Sequence, residues 1–102
     1  MNEIQGSGLY IWSDGKRYDG EWLNNKMHGE GHLIWPDKKE YIGQFHEDKR
    51  HGQGKFKWAD GRIYEGQWVK GKQSGMGLYT NTSGVQKKGM WNEGKRTGWI
   101  EQ

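Results

Sequence analysis

Tyr64-Glu65-Gly66-Gln67-Trp68-Val69-Lys70-Gly71-Lys72-Gln73-Ser74-Gly75-Met76-Gly77 decides the architecture of this 102-residue chain, because its pattern returns in one register along the whole sequence. With Tyr18, Tyr41, Tyr64 and Lys87 as position 1 of a 23-residue unit, all 18 glycines fall at five positions. Position 3 holds Gly20, Gly43, Gly66 and Gly89, and position 12 holds Gly6, Gly29, Gly52, Gly75 and Gly98. Position 14 holds Gly8, Gly31, Gly54 and Gly77; Gly71 and Gly94 sit at position 8, and Gly15, Gly61 and Gly84 at position 21. Periodicity of this kind means similar units stacked on one another. It moves the functional question from a catalytic pocket to an extended surface.

Full units run over 18–40, 41–63 and 64–86, with partial units at 6–17 and 87–102, so one repeat array is expected over 1–102. Ends that cut a unit in half suggest a fragment of a longer array or a domain that pairs its ends elsewhere. Within each unit, aromatic-rich alternating runs flank turn residues, as in Leu9-Tyr10-Ile11-Trp12 and Tyr18-Asp19-Gly20-Glu21-Trp22 around Asp14-Gly15. That is a hairpin signal. It recurs at Pro36-Asp37-Lys38, Ala59-Asp60-Gly61 and Thr82-Ser83-Gly84. A glycine roughly every sixth residue makes helices costly. The expected fold is all-β: an elongated, single-layer, groove-like array of antiparallel hairpins, about eight strands and about 40 Å long at the usual strand spacing of about 4.8 Å.

Alternation puts Tyr18, Gly20 and Trp22 on one face, and likewise Tyr41, Gly43 and Phe45, or Tyr64, Gly66 and Trp68. The glycine of each set is expected to leave a gap that a neighbouring ring fills, so alanine there costs about 1–3 kcal/mol. Position 8 reads Asn25, Asp48, Gly71 and Gly94, the residue types that best tolerate positive φ. Leu, Ile, Val and Phe supply only 14 residues, but seven Trp and five Tyr restore a core. There is no cysteine, which fits a reducing compartment. No apolar run is long enough to span a bilayer as a helix, and Met1 to Gly8 lack the apolar block of a secretory signal. A net charge of +3 is too even for a typical nucleic-acid binder, so no nucleic-acid partner is expected.

The residues from Tyr64 to Gly77 resemble the MORN repeat (membrane occupation and recognition nexus). The units at Tyr18 and Tyr41 follow the pattern closely, departing at Asn25, Asp48 and Phe45. The last keeps Gly89, Trp91, Gly94, Lys95 and Gly98 but has Lys87 for tyrosine and Ile100 for glycine, which weakens the case for its second hairpin. The resemblance implies company with junctophilins, radial-spoke head proteins, phosphoinositide kinases and cytoskeletal scaffolds, in which the repeats act as non-catalytic adaptors. It implies a cytoplasmic location, at cytoskeleton, cilium or membrane.

Two constellations are candidate sites. An aromatic groove lined by Tyr18, Trp22, Trp35, Tyr41, Phe45, Trp58, Tyr64, Trp68 and Trp91 would receive a partner helix or peptide, or a second copy in a homodimer. A lysine column, Lys26, Lys49, Lys72 and Lys95, with Arg50 and Arg96 beside it, would face anionic phospholipids or phosphoinositides. The blander reading is that the lysine stems cover neighbouring tryptophans. This lipid-binding module, or a repeat appendage of a phosphoinositide kinase, is the alternative to the protein scaffold. His28 and His51 share position 11, with His32 and His46 elsewhere; repeats are too far apart for both to ligate one zinc, so no metal is expected. No catalytic triad, H-E-x-x-H or phosphate loop appears, so neither enzyme activity nor a cofactor is expected.

Overall fold

The computed structural model describes residues 6–100; Met1–Gln5 of the expected 1–102 array, most of the stretch in which no secretory signal was read, and 101–102 of the last unit lie outside the described residues. Nine strands form one antiparallel sheet: β1 Gly6–Ile11, β2 Arg17–Leu23, β3 Lys26–Ile34, β4 Glu40–His46, β5 Lys49–Lys57, β6 Ile63–Val69, β7 Lys72–Thr80, β8 Gln86–Asn92 and β9 Lys95–Trp99. Their order in the sheet is their order in the chain. The all-β, single-layer hairpin array expected from the sequence is thus what the chain forms. Its extents are 53 × 23 × 17 Å, longer than the expected 40 Å, in part because a ninth strand joins the sheet.

The turns follow from local chemistry. After β1, β3 and β5 an aspartate accepts the backbone N–H two residues on: Asp14 from Lys16, Asp37 from Lys39 and Asp60 from Arg62. The intervening residue has positive φ, which glycine takes freely at Gly15 and Gly61 and which Lys38 takes at 78°. Within each unit the turn at positions 7 and 8 is two residues long with both φ positive, as at Asn24-Asn25, Glu47-Asp48, Lys70-Gly71 and Glu93-Gly94. The reading of position 8 holds; the left-handed residue before it carries no residue-type signal and was not anticipated. The position-8 N–H donates back to the preceding unit, Asp48 to the Met27 carbonyl at 3.0 Å, Gly71 to Arg50 at 2.8 Å and Gly94 to Gln73 at 2.9 Å.

The core explains the tyrosine–glycine pattern. Tyr18 lies along its own strand and its hydroxyl donates to the Glu21 carbonyl at 2.8 Å; Tyr41 does the same to Gln44 and Tyr64 to Gln67. Each ring crosses the facing position-14 glycine: a Cβ at Gly31 or Gly54 would clash with the hydroxyl and ring edge of Tyr18 or Tyr41. At position 3 the obstacle is backbone as well, since a Cβ on Gly20 would come 2.5 Å from the Gly31 Cα. The expected gap filled by a neighbour's ring is therefore a pair of facing glycines roofed by the unit's own tyrosine. Each tyrosine is closed over by the next unit, Tyr18 by Phe45 at 5.2 Å, Tyr41 by Trp68 at 5.5 Å and Tyr64 by Trp91 at 4.7 Å between centroids, all edge to face.

The last unit breaks the register. Gly66 pairs with Gly77, but Gly89 pairs with Trp99, one residue early. A one-residue slip turns a side chain to the other face. Trp99 thereby joins Tyr79 and Trp91 on the ring-bearing face and lies over Gly89, where other units place the tyrosine that Lys87 replaces. The second hairpin of this unit does form, with Ile100 N–H donating to the Lys88 carbonyl at 2.8 Å.

Candidate functional site

Of the nine rings expected to line the groove, seven belong to the core. Tyr18, Tyr41 and Tyr64 are 0% exposed, and Trp22, Phe45, Trp68 and Trp91 are buried. The correction has a simple cause: each unit's rings are sealed by those of the next, which strand alternation does not reveal. Trp35 and Trp58 stay half-buried on the core surface, together with Trp12 and Tyr79, while Tyr10 and Trp99 are exposed. These six form the accessible lining. Shallow cavities follow it, one of about 510 Å³ beside Tyr10, Trp12, Trp22 and Met27, and one of about 360 Å³ among Trp58, Tyr79, Trp91 and Trp99.

One margin of this groove carries a column that the sequence reading passed over. Position 22 is Lys16, Lys39 and Arg62, and each cation sits over the tryptophan four residues before it, at 4.6 Å from Trp12, 5.4 Å from Trp35 and 5.1 Å from Trp58. The signal was available as a basic residue at a fixed distance from each tryptophan. The stems covering tryptophans are thus these, not those of the position-9 lysines. Asp37 and Asp60 partly neutralise two of them, Lys39 at 3.6 Å and Arg62 at 2.8 Å. The Arg62 backbone N–H and guanidinium hold the Asp60 carboxyl below its usual range.

Position 10 supplies the opposite margin: Met27, Arg50, Gln73 and Arg96. Arg50 and Arg96 were expected to extend the lysine column, but alternation turns them to the ring face. The Arg50 guanidinium stacks on Trp68 at 4.7 Å and Phe56 at 5.3 Å and donates through Nη2 to the Gly71 carbonyl at 3.0 Å. Burial lowers its pKa from the usual arginine range. Arg96 lies over Trp99 at 4.2 Å.

Lys26, Lys49, Lys72 and Lys95 all open their strands on the loop edge, exposed, and none forms an ion pair among the described residues. Near them on the outer face three histidines come together, His28 to His46 at 5.2 Å and His46 to His51 at 5.8 Å between ring centroids. The distance between repeats is bridged by His46, which the sequence reading left aside. His32 sits apart, paired with Glu40 at 3.2 Å. Among the described residues no group of three or more His, Cys, Asp or Glu is arranged to hold a metal ion, and no helix is long and apolar enough to cross a membrane.

Comparison with protein families matches the MORN repeat four times, at residues 1–17, 18–39, 41–61 and 64–86. The matches end before the unit whose register slips. Comparison with curated proteins yields no match.

Proposed function

This chain belongs to the MORN-repeat family, and from that premise we propose that it is a non-catalytic scaffold whose ring-bearing groove receives a helix or extended segment of a partner protein. Repeats of this family are modules of protein or membrane interaction. The observation that carries the reading is the row Trp12, Trp35, Trp58 and Tyr79, packed against the core on one side and uncovered on the other. An apolar strip of this kind, rimmed by cations, has the character of an interface. A cytoplasmic site of action, on cytoskeletal, ciliary or membrane-proximal assemblies, fits this role. A photo-crosslinking side chain at position 35 should capture a partner that the same side chain at position 72 does not. Equal capture from both positions would overturn the reading. Solution mass by light scattering identifies the occupant as a second copy if it reports a dimer.

Anionic phospholipid binding is the second reading, favoured by the four exposed lysines without ion pairs among the described residues. Sedimentation with phosphoinositide vesicles should then fall from low to high salt. It should also fall when Lys26, Lys49, Lys72 and Lys95 are all changed to Gln, and binding indifferent to both would remove this reading.

A further inference from the structure

We propose that the slipped end of the groove is a carboxylate-recognition pocket, where the partner segment anchors an aspartate or glutamate side chain flanked by an apolar residue. The inference rests on the groove reading and adds the chemistry of its occupant. The cavity of about 360 Å³ is lined by Trp58, Arg62, Gln73, Tyr79, Trp91, Arg96 and Trp99. Two guanidiniums therefore approach it from opposite margins, and no acid among the described residues lines it. Arg62 is oriented by Asp60, whose carboxylate accepts from its Nε and its backbone N–H. Arg96 is exposed and forms no ion pair among the described residues. A third cation, the Lys87 Nζ, lies 5.6 Å from the Trp99 ring. Guanidiniums stacked on rings keep their planar forks available for a carboxylate.

The same position along the groove is unavailable in other units. Arg50 has its Nη2 committed to the Gly71 carbonyl and its guanidinium over Trp68 and Phe56. At the first unit Met27 replaces the arginine, and Asp48 lines the cavity beside it. Among the described residues, the slipped end alone brings two guanidiniums, one of them without an ion pair, to one cavity beside an exposed ring. A doubly charged phosphate would meet the Asp60 carboxylate held 2.8 Å from Arg62, which favours a single carboxylate.

Random 12-residue peptides displayed without a free C-terminus are selected on the whole protein. Binders are expected to be enriched in Asp or Glu beside Trp, Phe or Leu. Changing that acid to its amide in a synthetic binder should weaken binding about tenfold. Arg96→Gln should abolish the difference between acid and amide peptides, and Arg62→Gln should reduce it. Lys26→Gln with Lys72→Gln should leave it intact. Trp58→Leu, checked by thermal unfolding, should weaken both peptides. Binders lost with Trp58→Leu but free of acid preference, or whose preference survives Arg96→Gln, overturn the pocket and leave the groove standing. A preference for phosphoserine over Glu also overturns it. Binders indifferent to Trp58→Leu, or no binders at all, overturn the groove reading and the pocket with it.

Discussion

A tyrosine laid flat over two facing glycines is the smallest piece of this fold, and its tolerances are narrow. The Tyr41 ring is 0% exposed, hemmed by Phe45 at 5.0 Å and Trp68 at 5.5 Å, and so cannot yield to a methyl group on Gly54. Gly54→Ala should cost about 3 kcal/mol, the upper end for overpacking, in urea unfolding. Gly61→Ala has open space but a φ of 101°, so it should cost about 1 kcal/mol from backbone strain alone. The reverse ranking would mean that the ring, not the glycine, gives way. The same burial predicts an alkaline limit. Desolvation pushes the Tyr64 hydroxyl up to about 12 and, with a contribution from Glu21, that of Tyr18 to about 12; Tyr41 is raised as well. In the unfolded chain tyrosine titrates near 10. Above that pH the folded state holds protons that the unfolded chain has released, so this stability is full below about 10 and lost as pH rises towards 12. The urea midpoint should hold from pH 8 to 9.5 and drop by pH 11, less steeply in Tyr64→Phe; a flat profile to pH 11 would contradict the assignment.

Strands and turns show how far a sequence period reaches. Turn positions, strand alternation and the glycine ruler were all legible, because each depends on residues a few positions apart. What closes over a ring was not, since Phe45 seals Tyr18 from 27 residues away and alternation fixes only the face. The departures Lys87 and Ile100 were visible, yet their connection was not. Tyrosine at position 1 and glycine at position 14 exist for one another, so losing both together frees the register to slip and lets Trp99 take the vacated place over Gly89. Restoring the pair with Lys87→Tyr and Ile100→Gly should pull β9 back by one residue. Nuclear Overhauser contacts should then place residue 100 opposite Gly89 and send the Trp99 indole to the outer face, away from Tyr79. Trp99 remaining opposite Gly89 would show that the indole, not the missing tyrosine, sets the register.

Across the described residues each strand pairs only with its neighbours in the chain. Stability in such an array is close to a sum of unit terms and nearest-neighbour interfaces. The interfaces are unequal. The central strands β4, β5 and β6 bury alternate residues and carry Tyr41, Phe56, Tyr64 and Trp68, whereas β1 has no buried residue and β9 only Gly98 half-buried. Opening from either end therefore exposes few rings, while opening at the centre must unseat two tyrosines at once. Local opening free energies span from near zero up to the global value within one protein. Amide exchange should accordingly be slowest for β4–β6 and fall away towards β1 and β9. Gly54→Ala, placed in the middle, should bring the central amides down to the level of their neighbours. Uniform protection across all nine strands would mean that the sheet opens as one cooperative block, and ring-over-glycine seals between adjacent units would then not be what divides its stability.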